Sequence, residues 1–263
     1  GCSKNTVDSE KLLRQIRAAG YSVAYDPSVE KADTVIINTC GFINDAKEES
    51  INTILRFVKA GREGKIGKLY VMGCLSERYR DALVKEIPEV NRYFGVSNME
   101  QILNELGADT RPDLLSERVL TEPSHYAYLK VSEGCDRKCA FCAIPLIRGK
   151  YVSRQVEEIV REAEMLAGQG VRELILIAQD LSYYGIDLYG RRELPRLVKS
   201  LVDIDAFDWI RLHYLYPAGF PKTILNLMRD NPKICKYVDL PIQHISGRML
   251  KIMKRSKKLM PDT

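Results

Sequence analysis

The sequence predicts an α/β fold built on parallel sheets and divided into two domains, on three observations. Short β-branched or apolar runs alternate with amphipathic helical stretches along most of the chain. Strand–helix–strand order favours parallel pairing, because the connecting helix crosses the face of the sheet. One polar, Pro-containing stretch without sustained period, 106–126, interrupts the alternation near the middle. The length of 263 residues suits one large domain or two ordinary ones.

Taken in order, a helix is expected over about 9–19, with Asp8 as N-cap and Gly20 as its stop. TVIIN (34–38) reads as a buried strand, and 45–59 as a helix whose stripe is Ile51, Ile54, Leu55 and Val58. KLYVM (68–72) is a second strand, a helix follows Ser76, and VNRYFGV (90–96) is a third strand. These elements make a flavodoxin- or Rossmann-like domain over 1–108, with a linker over 109–125. The pattern restarts in a domain over 126–263: AYLKVS (127–132), a helix at 156–169, ELILIAQ (173–179), IRLHYLY (210–216), a helix near 222–229 and KYVDLPI (236–242). Four strand–helix repeats suit a partial (β/α) barrel.

Composition narrows the class. With 45% hydrophobic and 29% charged residues the chain is an ordinary globular protein, which excludes collagen-like, disordered and disulfide-miniprotein classes. No apolar run approaches the ~20 residues of a membrane span, so no membrane association is expected. The chain opens at GCSKN with no basic-then-apolar leader, so a cytoplasmic location is expected. A net charge of +5 is too small to indicate direct nucleic-acid binding. Seven cysteines, three of them crowded into CDRKCAFC, point to metal ligation in an intracellular protein rather than to disulfides.

Cys40 follows TVIINT and Cys74 follows KLYVMG, each just past a strand end, while Cys2 precedes the first helix and would occupy the same place after a strand lying before Gly1. Ligands of parallel sheets gather outside the C-terminal strand ends. A single such Cys reads as a small buried hydrophobe; three at equivalent positions favour a shared site. In the second domain Cys135, Cys139 and Cys142 form Cys-x3-Cys-x2-Cys, with Phe141 before the third. Three thiolates cannot close a structural zinc site, which takes four protein ligands. They suit a 4Fe–4S cluster with one open iron, able to take the amino and carboxylate groups of S-adenosylmethionine. A zinc knuckle borrowing Cys235 or His125 is the alternative.

CDRKCAFC resembles the radical S-adenosylmethionine signature, and the three upstream cysteines resemble those of the methylthiotransferases. The likeness extends through GCSKNTVDSE (1–10), NTCGFINDAKEESI (38–51), GCLSERY (73–79), SEGCDRKCAFCAIPLIRGKYVSR (132–154), IAQDLSYYGIDLYG (177–190), YLYP (214–217) and DLPIQHIS (239–246). Ser3-Lys4-Asn5 and Leu240-Pro241-Ile242-Gln243-His244 resemble the RimO branch rather than the tRNA-modifying MiaB branch, which tends to Gln-Met-Asn and Leu-Pro-Val-Gln-Ser. The resemblance implies a radical S-adenosylmethionine (β/α) barrel, here truncated, and a C-terminal TRAM domain absent from this chain.

It further implies two 4Fe–4S clusters, on Cys135, Cys139 and Cys142 and on Cys2, Cys40 and Cys74, with Phe141 packed near the adenine. S-adenosylmethionine would serve as methyl donor to sulfur and as radical source. The target would be the β-carbon of an aspartate on small-subunit ribosomal protein twelve, and electrons would come from a low-potential donor such as flavodoxin or ferredoxin. No conventional acid–base residue is expected. The alternatives are a tRNA methylthiotransferase and, from another class, a non-enzymatic iron–sulfur carrier or scaffold.

Gln179 and Asp180 end the second barrel strand, where they would touch S-adenosylmethionine or substrate, or cap the next loop. Tyr183, Tyr184 and Tyr189 either cover the site or pack. His244 reads as hydrogen-bonded structure, Arg148 and Arg154 as charges that could pair with carboxylates but by default lie on a solvated face, and 249–258 as a partly buried helix.

Overall fold

The computed structural model describes residues 1–25, 31–121 and 123–255, and the chain divides into two compact units, Gly1–Thr121 and Glu122–Thr263. The first unit runs α1 (Ser3–Ala18), β1 (Ala32–Thr39), α2 (Asn44–Arg62), β2 (Ile66–Gly73), α3 (Cys74–Glu86), β3 (Arg92–Tyr93) and α4 (Met99–Glu105). Its strands pair in parallel in the order β1-β2-β3, with Val35 opposite Leu69 and Thr39 opposite Gly73.

Alternation along the central strand explains the layering, since successive side chains point to opposite faces. Leu69 and Val71 join Ile37, Ile54, Val58, Leu75 and Leu83 in one core, and Tyr70 and Met72 join Leu12, Ile16, Phe94, Ile102 and Leu103 in another. A sheet covered on both faces has a near-continuous apolar central strand, as KLYVM is.

Two boundaries in this unit differ from expectation. α1 begins at Ser3, so Asp8 lies inside the helix and Cys2 occupies the N-cap position. The run SKNTVD conceals this turn, because two of its three buried members, Lys4 and Asn5, are polar and only Val7 is apolar. The third strand shrinks to Arg92–Tyr93, flanked by bonds from the Asn91 N–H to the Leu69 carbonyl and from the Phe94 N–H to the Val71 carbonyl.

The segment after α4 lies along α1. A 3-10 turn occupies Pro112–Leu114; the Val119 N–H donates to the Glu10 carbonyl, and the Arg118 guanidinium and the Thr121 N–H and hydroxyl bond the buried Glu10 carboxylate at 2.9–3.1 Å.

The second unit contains β4 (Tyr126–Lys130), β5 (Ser132–Glu133), α5 (Ile144–Ile147), β6 (Val152–Ser153), α6 (Val156–Gly168), β7 (Glu173–Ile177), α7 (Ile186–Tyr189), α8 (Leu194–Val202), β8 (Trp209–Leu212), α9 (Lys222–Asp230) and α10 (Gly247–Ile252). Strands β4, β7 and β8 pair in parallel in that order, and β5 with β6 forms a small antiparallel ribbon. The core gathers Leu129, Ile159, Leu166, Leu174, Leu176 and Leu201.

α8 was missed by the sequence reading, although Leu194, Leu197, Val198 and Leu201 carry the i, i+3, i+4, i+7 signature. KYVDLPI forms no strand; Ile210 makes one isolated parallel bridge, to Ile234. Tyr214, in the left-handed region at φ 66, turns the backbone away after β8, and its N–H takes the Asp239 carboxylate in place of a ladder partner. The tail helix covers 247–252, and the expected extension at 256–258 lies outside the described residues.

Candidate metal centres

In the first unit, two strand–helix junctions and the start of α1 bring cysteines to one edge of the sheet. Cys40 directly follows β1, Cys74 follows β2 as the first residue of α3, and Cys2 heads α1. Asn5, one turn into α1 and 4% exposed, connects two of them: its Oδ1 accepts from the Cys2 thiol at 3.3 Å and the Cys74 thiol at 3.8 Å.

The orientation of that carboxamide is settled by backbone carbonyls. Asn5 Nδ2 donates to the Thr39 carbonyl and to Asn38 Oδ1, both at 3.0 Å, while Asn38 Nδ2 donates to the Asn5 carbonyl at 3.0 Å and to Ser9 Oγ at 2.9 Å. Flipping either amide would set oxygen against oxygen. Cys40 is held through its backbone, its N–H donating to Ser50 Oγ and its carbonyl accepting from the same hydroxyl, each at 3.1 Å.

Two glycines allow these junctions to close. A Cβ on Gly41 would stand 2.7 Å from Leu75 Cα, so the Cys40 loop lies directly against the start of α3. Gly73, at φ +99, would place a Cβ 2.4 Å from Asn38 Oδ1, where the asparagine pair sits.

In the second unit the trio lies in a loop between β5 and α5. Gly134, at φ +71, lets the chain pass within 1.9 Å (measured from an added Cβ) of the Lys150 carbonyl. The Cys135 N–H donates to the Gly149 carbonyl at 3.1 Å, and the Cys142 N–H closes a turn onto the Cys139 carbonyl at 3.1 Å. Cys135 Sγ accepts from the Arg137 N–H at 3.4 Å, and Arg255 Nη1 lies 3.8 Å from Cys139 Sγ.

Burial pushes the Cys135 thiol up to about 11, with the Asp180 carboxylate adding to it and the Arg137 N–H opposing, and burial likewise raises Cys142. Among the described residues no three His, Cys, Asp or Glu side chains converge as a formed metal site. The donor set of each trio nonetheless fits a thiophilic cation: soft sulfur ligands, with the charge of a bound metal stabilising the thiolates that burial disfavours.

The remaining predicted site residues lie as follows. Phe141 is 51% exposed beside Cys142. Gln179 is half-buried, whereas Asp180 is 1% exposed and accepts from Arg137 Nε at Oδ2, 2.8 Å away, leaving Oδ1 without a hydrogen-bond partner. Burial raises the Asp180 carboxyl above the ordinary range, against the pull of Arg137. Tyr184 and Tyr189 are structural, bonding the Arg154 carbonyl and the Val156 N–H respectively; Tyr183 instead packs on Tyr151. Gln243 and His244 are exposed, and the His244 ring accepts the Ser246 N–H.

The two arginines expected on a solvated face both reach carboxylates. Arg148, buried, bonds Glu133 at 3.0 Å, and Arg154 bonds the fully buried Glu162 at 2.7 Å. Burial pushes the Glu133 carboxyl up, but Lys130 and Arg148 pull harder and hold it at about 2. Arg137, Tyr151 and Tyr216 were not singled out from sequence, and Asn5 only as part of the branch motif Ser3-Lys4-Asn5. Only Arg137 and Asn5 carried a local signal, one inside the cysteine loop and the other one helical turn from Cys2.

The profile of the radical SAM superfamily matches residues 129–259, and that of uncharacterized protein family UPF0004 matches residues 1–95. Among solved structures, the radical S-adenosylmethionine methyltransferase TsrM from Kitasatospora setae, with tryptophan and aza-SAM bound, superposes at a TM-score of 0.67 and 15% identity, covering 98% of this chain and 59% of that one. The cobalamin-dependent S-adenosylmethionine radical enzyme OxsB superposes at 0.60 and 11% identity, covering 96% and 43%. The fold is therefore that of radical S-adenosylmethionine enzymes.

Curated relatives narrow the class. Ribosomal protein uS12 methylthiotransferase RimO of Flavobacterium psychrophilum is 56% identical over 97% of this chain and 58% of its own length. The RimO of Phocaeicola vulgatus is 53% identical over 97% and 59%. This chain belongs to the radical S-adenosylmethionine methylthiotransferase family, in its RimO branch, and spans about three-fifths of the length of those relatives. No described helix is long and apolar enough to cross a membrane.

Proposed function

We propose that this chain carries the two cluster-holding units of a methylthiotransferase that acts on the β-carbon of an aspartate in ribosomal protein uS12. The observation that carries the reading is the pair of thiol trios, one at the sheet edge of the first unit and one in the loop after β5, in a chain related to RimO over nearly its whole length. Cys135, Cys139 and Cys142 hold one 4Fe–4S cluster, and Cys2, Cys40 and Cys74 the other.

When bound, the clusters and S-adenosylmethionine supply a carbon radical and a sulfur donor, chemistry suited to a C–H bond with no acidic proton. The protein's own part is positional. The trio at Cys135 leaves a corner for the amino and carboxylate groups of S-adenosylmethionine. Phe141, exposed beside it, packs on the adenine, and Gln179 lies at the neighbouring strand end. Asp180 keeps Oδ1 for a donor on the bound molecule. A low-potential flavodoxin or ferredoxin reduces the centre, and the location is the cytoplasm, where ribosomal protein is available.

The test is anaerobic reconstitution of the full-length protein with iron and sulfide counting, followed by mass analysis of uS12 peptides. About eight irons in wild type, about four in the Cys2→Ala/Cys40→Ala/Cys74→Ala triple variant, and a methylthio increment on an aspartyl peptide are expected. Unmodified uS12 alongside methylthiolated tRNA would overturn the substrate assignment, and zinc without sulfide would overturn the chemistry.

A further inference from the structure

The loop that bears Cys135, Cys139 and Cys142 is closed by a ring of hydrogen bonds that no cysteine enters. Asp136 Oδ1 accepts the Tyr151 N–H at 3.0 Å, the Tyr151 hydroxyl donates to the Asp180 carbonyl at 3.0 Å, and Arg137 Nε returns to Asp180 Oδ2 at 2.8 Å. The same guanidinium donates to the Ala218 carbonyl at 3.1 Å and lies 4.0 Å from the Tyr216 ring centre and 5.6 Å from that of Tyr183. Arg255 lies 4.3 Å from the same Tyr216 ring. Arg137 thus ties the middle of the cysteine loop to the ends of β7 and β8, and it meets a carboxylate that is almost wholly shielded from water, with side-chain exposures of 25% and 2%. Opposite charges in such a place act strongly on whatever the loop holds, because solvent screens them little.

We infer that Arg137 and Asp180 are positioning residues for the radical centre, a charge-matched brace that seats the thiol loop and fixes the electrostatic field at the group it binds. The inference rests on the reading of Cys135, Cys139 and Cys142 as cluster ligands. Asp180 was expected from sequence to touch S-adenosylmethionine or cap a loop; here its main partner is the loop arginine. Cluster potential responds to nearby charge and to hydrogen bonds at sulfur, so the brace has a readout independent of turnover.

The experiment uses the full-length protein with Cys2, Cys40 and Cys74 replaced by alanine, so that a single cluster reports, reconstituted anaerobically and titrated by EPR without S-adenosylmethionine. About four irons must first be present; their absence would refute the cluster reading, a failure distinct from that of the brace. D180N keeps an oxygen acceptor for Arg137 but removes a negative charge, so its midpoint potential is expected to rise. The R137Q/D180N double variant, neutral at the pair like wild type, is expected to return to the wild-type potential. A D180N potential that stays put or falls, or a double variant displaced as far as D180N, overturns the inference. Should the double variant take up no iron, the direction of the D180N shift alone decides.

Discussion

The two thiol trios reach the same donor count by opposite routes. Cys135, Cys139 and Cys142 sit within one loop between β5 and α5, braced by the β5–β6 ribbon, the Tyr151–Asp180 ring and the bond from the Ala140 N–H to the Met253 carbonyl. Cys2, Cys40 and Cys74 come from the start of α1 and two strand–helix junctions, which meet only when β1 and β2 are paired and α1 is docked through Asn5. A site assembled from three distant segments has its donors together only once the whole unit is folded, whereas donors within one loop are already near one another along the chain. Damage to the core of each unit should therefore have unequal consequences for its trio.

The sharpest way to break this comparison is to delete each trio in the full-length protein. Replacing Cys135, Cys139 and Cys142 by alanine should remove about half of the iron and abolish both S-adenosylmethionine cleavage and methylthiolation. Replacing Cys2, Cys40 and Cys74 should remove the other half and abolish methylthiolation while cleavage survives. Iron analysis with product chromatography reads both, and survival of methylthiolation in the second variant would end the assignment of the first-unit trio.

Steric closure comes next in size. Gly73→Ala and Gly134→Ala each force a side chain into the left-handed region and onto a polar atom, at 2.4 and 1.9 Å. Each should cost more than about 3 kcal/mol in a denaturant titration. Only Gly73→Ala should also scatter the first trio, measured as iron uptake below that of the parent.

Asn5→Ala is milder, leaving the Thr39 carbonyl without its donor, and should cost about 1–3 kcal/mol. Its mark is selective: iron bound by the first unit falls while the second unit's EPR signal is unchanged. Tyr151→Phe removes one buried hydrogen bond, to the Asp180 carbonyl, and should cost about 1 kcal/mol in the second unit.

A further effect is one of pH. Glu133 titrates at about 2 in the folded chain against 4.5 unperturbed, so its stabilising contribution is present in full above 4.5 and is lost as pH falls through about 2. Thermal midpoints of Glu133→Gln across that window should be flatter than those of wild type.

How far the molecule could be read in advance follows from the same contrast. The strands TVIIN and KLYVM and the helices between and after them were legible because buried elements carry strong apolar periods. The positions of Cys40 and Cys74 just past strand ends and of Cys135, Cys139 and Cys142 in the loop after β5 were likewise legible. The first turn of α1 was not, since Lys4 and Asn5 are buried through polar contacts that hydrophobic pattern cannot register. KYVDLPI was overread for the opposite reason: an apolar run resembles a strand even where the pairing with β8 stops at the single bridge to Ile234 just before it. The ion pairs of Arg148 and Arg154 depend on carboxylates brought near only by folding, and spacing alone gives no hint of them.

The glycine that backs Cys40 onto the start of α3 turns this packing into a sorting rule. An added methyl group there would collide with main-chain atoms, which cannot swing aside as a flexible side chain can. In any shuffled library screened for retained iron in the first unit, position 41 should therefore recover glycine alone, even among clones that keep every sulfur.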